Sequence, residues 1–314
     1  MRDQRPIRFL GFSMKFTILA VLAILIVFSS GCASKVSHRF MKSGWDSQAI
    51  SIVGADGKVE WEYPTKAETT DSWLLSDGKV IFSHKNGVTL MGKDKVAIWT
   101  YDAPKGKENH SCQPIEDGKF LVGENGNGAW IVELNSKGKV AKKIKVSDRK
   151  DRRHAYRQIR KTAKGTYLTT VMAENKTYEW DADGKLLRTF PNGHYVAIRL
   201  KNGNTLTSGN PHKKGWHIAE FDAKGKVVWS LKDEDNIGLH INMVCGLQRL
   251  PNGNTIVTNL VHGKGSDSKT PQVFEITPDK KVVWTVKNPK LNRIASIQIL
   301  DTKDGKIDNS KQQR

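Results

Sequence analysis

Cysteine is almost missing from the 314-residue chain, which has only Cys32, Cys112 and Cys245. That excludes a dense disulfide framework and any zinc site built on paired C-x-x-C motifs. Acidic residues are also scarce, 32 against 51 Lys plus Arg. Helical periodicity is missing over most of the length, which argues against a helical solenoid. Phosphate-loop, H-E-x-x-H and G-x-S-x-G motifs do not occur, so the usual signatures of P-loop NTPases, zincins and α/β-hydrolases are lacking. "GENGNG" (123–128) is glycine-rich, but no helix pattern follows it to cradle a phosphate.

Only one long apolar run is present. "MKFTILAVLAILIVFSSGCAS" (14–34) has a lysine, an apolar stretch from Phe16 to Phe28 and a small-residue ending. The run is short of the roughly 20 residues a spanning helix needs and suits an export signal. Residues 1–13 look out of place before the run, so translation is expected to start at Met14; the "SSGC" ending resembles a bacterial lipoprotein cleavage box, which implies lipidation at Cys32. The expected organisation is an export signal over 1–31, a tether over 32–47 and a folded body over 48–314. The expected location is the cell envelope, with the membrane reached through the lipid anchor.

Without residues 1–31, the loss of Arg2, Arg5, Arg8, Lys15 and Asp3 leaves 47 basic and 31 acidic residues, net +16. This balance favours anionic partners, although lysines at turns supply much of the surplus and also serve solubility. Export disfavours nucleic acid. An anionic glycan or an envelope protein is the expected partner, and the body is expected to be a monomer.

Hydrophobic residues make up 38% and charged residues 26%, with nine Trp, the composition of a folded soluble body. Two kinds of Gly-bearing turn alternate along it. The first separates two apolar runs: "LLSDGKVIFS" (74–83), "PIEDGKFLVG" (114–123), "KTAKGTYLTT" (161–170), "RLKNGNTLTS" (199–208), "RLPNGNTIVT" (249–258) and "ILDTKDGKI" (299–307). The second precedes a β-branched run, as in "GADGKVEW" (54–61), "DAKGKVVW" (222–229) and "TPDKKVVW" (277–284). Asp-Gly and Asn-Gly between alternating runs mark hairpins. Six copies of each turn, roughly 36 to 55 residues apart, predict an all-β, six-bladed β-propeller. The end strands share one blade, with residues near 293–310 pairing with those near 48–63. Trp61, Trp99, Trp229 and Trp284 are expected to pack between sheets, and Glu133, Glu179, Glu220 and Glu275 to make structural contacts.

"DAKGKVVW" and "TPDKKVVW" resemble quinoprotein-type (PQQ-like) repeats, and "LPNGNTIVT…VFEITPDKKVVW" resembles repeats of arylsulfotransferase-type propellers. The first resemblance implies a quinone cofactor, which six blades and the lack of adjacent cysteines disfavour. The second implies a histidine in the central channel as group acceptor.

Loops leading into the innermost strands carry His110, His154, His194 and His240, with Asp71 and Arg293 at the matching place in the other two blades. Three readings stand side by side: loop histidines bracing the backbone, a rim for an anionic ligand, and a divalent metal held by the four imidazoles. Arg152 and Arg153 beside His154, with Lys105, Lys107, Lys213 and Lys214 in neighbouring loops, fit the anion rim. That rim would comprise His110, His154, Arg152, Arg153, Asp71 and Arg293. The leading expectation is a binding module working at the axial mouth. The alternative is a transferase, hydrolase or lyase, arylsulfotransferase-like or metal-dependent, with His240 or His194 catalytic. Cys112 and Cys245 fall on opposite sides of a six-blade ring and are expected to be free, buried thiols.

Overall fold

Glycines in the predicted turns take the left-handed conformation that such hairpins demand. Gly78, Gly165, Gly203 and Gly253 have φ of 79°, 78°, 88° and 89°. In two turns of the second kind a lysine takes the glycine's place, and Lys95 and Lys280 are left-handed at 64° and 63°. The computed structural model describes Met1 and residues 36–45, 48–65, 67–212, 215–261, 270–288, 291, 293–301 and 312–314. Cys32, Lys213, Lys214 and the turn expected at Asp304-Gly305 lie outside the described residues.

These hairpins build six four-stranded antiparallel sheets, so the chain is an all-β, six-bladed β-propeller. The innermost strands of blades one to five are Asp71–Leu74, Glu108–Pro114, Tyr156–Lys161, Ala197–Arg199 and Val244–Arg249. Blade six is shared between the chain's two ends, in the order Ile294–Ile299, Phe40–Gly44, Ala49–Val53, Val59–Pro64. Middle strands are buried on both faces, as in Gly87–Met91, whereas the outermost Ala97–Asp102 is largely exposed.

Blade closure differs from expectation in one respect. Phe40–Gly44, expected within the tether, pairs with Ile294–Ile299, with Phe40 opposite Ile299 and Met41 opposite Gln298. The sheet therefore takes three strands from the N-terminal side and one from the other. "FMKSG" carries no Asn-Gly or Asp-Gly turn behind it, so the hairpin signal was silent there. Burial is what holds it: Phe40 and Met41 are each 1% exposed.

Neighbouring blades are stitched by repeated contacts. Trp99 Nε1 donates to the Ser136 carbonyl at 3.0 Å, and Trp229 Nε1 to the Pro278 carbonyl at 2.7 Å, each in the next blade. A Cβ at Gly138 would sit 2.6 Å from the Trp99 ring, so that turn must stay glycine. Third-strand carboxylates reach basic residues at the end of the next blade's innermost strand. Glu133 meets Lys161 at 2.8 Å, Glu179 meets Arg199 at 2.6 Å and Glu220 meets Arg249 at 2.7 Å. Blade six ends that strand in Ile299, and His38 takes the cation's role, 2.8 Å from Glu275. Four of the six joints thus use one carboxylate position for cohesion, as its repetition suggested.

Candidate functional site at the propeller axis

Counting back from the first hairpin of each blade places the innermost residues. Backbone turns close at Leu75, Ile115, Thr162, Leu200 and Leu250. His110 lies five residues before its turn, level with Arg157, Tyr195 and Cys245, whereas His154, His194 and His240 lie eight, six and ten residues before theirs. The four histidines therefore do not share one position. Among the described residues no group of three or more His, Cys, Asp or Glu is placed to hold a metal.

Asp71 opens the innermost strand of blade one and is fully buried. Arg160, from blade three, grips it through Nη1–Oδ2 at 2.8 Å and Nη2–Oδ1 at 3.3 Å. Ser296 donates to Oδ1 at 3.1 Å and the Cys112 N–H to Oδ2 at 3.2 Å. A second guanidinium, Arg314, stands 3.7 Å from Oδ1 and lies 4.0 Å over the Trp73 ring. Two buried guanidiniums share one carboxylate here. Burial pulls the Arg314 pKa down to about 9, with Asp71 opposing and Arg160 assisting.

Nearer the start of the innermost strands lies a third arginine, Arg157, only 6% exposed. Its guanidinium carbon is 5.2 Å from the Trp45 ring and 5.6 Å from the Tyr195 ring. Nε donates to Met172 Sδ at 3.1 Å and Nη1 to His110 Nδ1 at 3.3 Å. No carboxylate among the described residues ion-pairs with it. Since Nδ1 of His110 accepts, Nε2 carries the proton of the neutral ring, and it faces Glu108 Oε2 at 3.3 Å. Burial holds the His110 pKa below its ordinary value; Glu108 pulls the other way and Arg157 adds to the lowering. Tyr195 is fully buried, and its hydroxyl finds no partner among the described residues. Burial pushes its pKa far up, so it stays a donor. Around it stand Met243, Cys245, Leu260 and Ala295, with Trp45 and Met172 partly exposed.

The remaining sequence candidates lie elsewhere. Arg152, 56% exposed, reaches Glu108 at 3.9 Å and borders an open surface groove of about 380 Å³ with Lys85, Lys105 and Lys107. Arg153 and His154 are exposed, and Asp151 receives both their backbone N–H groups, at 2.8 and 3.0 Å. His194 is buried and His240 exposed; the His240 carbonyl accepts from Asn259 Nδ2 at 2.9 Å. Arg293 has a left-handed backbone, φ 50°, and its carbonyl would touch any Cβ at Gly44. Cys112 and Cys245 are separate, fully buried thiols.

Arg157, Arg160, Tyr195 and Trp45 escaped the sequence reading. The signal for the two arginines was present in "RRHAYRQIRK": arginines inside a strand whose neighbours are all buried have only the axis to face.

No family model matches the chain, and no curated protein matches it. Its structure is similar to that of a protein of unknown function from Bacteroides caccae, at 27% identity and TM-score 0.74, covering 83% of this chain and 98% of that one. A catalytically inactive virginiamycin B lyase from Staphylococcus aureus, solved with quinupristin, is similar at 14% identity and TM-score 0.58, covering 83% of this chain and 88% of that one. The Pan2 WD40 domain of Neurospora crassa is similar at 12% identity and TM-score 0.54, with 80% of each chain covered. These likenesses agree with the propeller fold.

Proposed function

We propose that this chain is an exported, envelope-tethered β-propeller that binds an anionic ligand at its axial mouth, an acidic glycan or an acidic group of an envelope protein. The carrying observation is Arg157, a buried guanidinium whose side-chain partners are a neutral imidazole and a thioether. A buried charge costs several kcal/mol unless paired, and neither neighbour supplies negative charge. The excess of basic over acidic residues points the same way, and the apolar run before Cys32 supports export and tethering. The enzymatic alternative lacks a comparable observation, because neither His194 nor His240 is among the contacts of Arg157.

Thermal unfolding of the mature protein against a panel of acidic oligosaccharides, organic acids and inorganic anions tests this. Anions should raise the midpoint of the wild type and of an Arg152/Arg153/His154 triple-alanine variant, but not of Arg157→Gln. Loss of the response in the triple variant, with Arg157→Gln still responding, would move the site to the surface loop and overturn the axial reading.

A further inference from the structure

We propose that the Arg157 subsite takes a monoanionic organic carboxylate with an apolar body, one oxygen held by the guanidinium and the other by the Tyr195 hydroxyl. This rests on the anion reading above and names the chemistry of its ligand.

Unused hydrogen-bonding capacity defines the polar end. Nε and Nη1 of Arg157 are occupied by Met172 and His110, and no acceptor for Nη2 stands among the described residues. The Tyr195 hydroxyl is a second donor without an acceptor, on a ring that borders the same guanidinium. A flat two-oxygen acceptor matches one donor from each.

Charge fixes the valence. Arg157 is the one cation that borders the Tyr195 ring, whereas Arg160 and Arg314 share Asp71. A dianion would carry a second negative charge into a buried place with no second cation in contact to balance it.

The walls determine the rest. Met172, Met243, Leu260, Ala295 and Trp45 present carbon and sulfur. The additional oxygens of phosphate or sulfate would be buried against them unpaired, whereas an alkyl or aryl body would be covered. Trp45 and Met172 are the partly exposed members, so a ligand's apolar body would follow them toward solvent.

Calorimetric titration of the full mature protein with 3-phenylpropionate, acetate and inorganic phosphate tests the assignment. Phenylpropionate should bind at least about tenfold tighter than acetate, and phosphate weaker than phenylpropionate. Tyr195→Phe, which removes one oxygen, should weaken phenylpropionate about tenfold, and Arg157→Gln about a hundredfold. Arg157→Lys, which keeps the charge but loses the planar fork, is the companion variant should Arg157→Gln fail to fold. Equal affinity for phenylpropionate and acetate, or unchanged binding in Tyr195→Phe, would overturn the carboxylate assignment. Arg157-dependent phosphate binding without carboxylate preference would overturn it too, yet leave the anion reading standing. Failure of all three to bind would sink the carboxylate assignment, and failure of the acidic-oligosaccharide panel as well would sink both.

Discussion

Arg160 and Asp71 meet across the propeller axis in a two-pronged contact, with N–O distances of 2.8 and 3.3 Å, although 89 residues separate them in sequence. The pair joins blade three to blade one, and Ser296 of blade six binds the same carboxylate. Its consequence is an axis crossed by protein side chains, with Arg157, which has no carboxylate partner among the described residues, set one residue farther from its blade's first turn than Asp71 is from its own. A fully buried ion pair adds little net stability over a packed apolar pair, but half of one is costly.

Asp71→Ala should therefore destabilise the protein by about 3–5 kcal/mol, because Arg160 and Arg314 lose their shared carboxylate. The triple variant Asp71→Leu/Arg160→Met/Arg314→Met, which removes both guanidiniums together with the carboxylate, should recover much of that loss. Denaturant unfolding of both proteins checks it; a single variant within about 0.5 kcal/mol of wild type would contradict it.

Ring closure depends on a strand that looks dispensable in sequence. Phe40→Ala should cost about 3–5 kcal/mol, since the ring packs against Ile297, Ile299 and Trp284 where the chain's two ends meet. An exposed control, Val96→Ala, should change stability by less than about 0.5 kcal/mol. The two unfolding midpoints, measured side by side, test the three-plus-one closure.

His38 gives that closure a pH dependence. Burial opposes its protonation, but Glu275 and Asp301 together outweigh burial and raise its pKa above the ordinary 6.5. A raised folded-state pKa contributes stability that is complete below the unfolded value and is lost as pH rises through the folded one. The stability lost in His38→Gln should thus be larger at pH 5.5 than at pH 8.5. Equal losses at both values would remove the charged clasp with Glu275.

Between blades, Glu220 and Arg249 should be energetically coupled by about 0.5–3 kcal/mol, as expected for a well-shielded contact at 2.7 Å. A double-mutant cycle with Glu220→Gln and Arg249→Met measures it. The same cycle on Lys58 and Asp56, an exposed pair in one turn, should give coupling near zero.

The blades were legible because their cause is local. A turn such as Asn202-Gly203 demands left-handed backbone within a few residues; among the described residues five such turns and six of the second kind are left-handed, and together they mark the six sheets. Lys95 and Lys280 were readable only by position, since no glycine announces their turns. Phe40–Gly44 was missed because its partner strand lies some 250 residues away and pairing depends on burial alone. At the axis, only Asp71 and His110 of the expected rim stand among the buried groups. His154 and His240 each precede an innermost strand in the sequence, but they stand eight and ten residues before their turns, in exposed loops of unequal length. Which residue faces the axis is set by strand register and by bulges such as the one between Tyr156 and Ile159, and no local motif encodes those.

The most direct test of the account is a crystal of the mature protein soaked in bromide, with the anions located by anomalous diffraction. The account predicts a bromide peak within hydrogen-bonding reach of the Arg157 guanidinium and the Tyr195 hydroxyl. Peaks confined to the Arg152–Arg153 loop, with nothing beside Arg157, would contradict it.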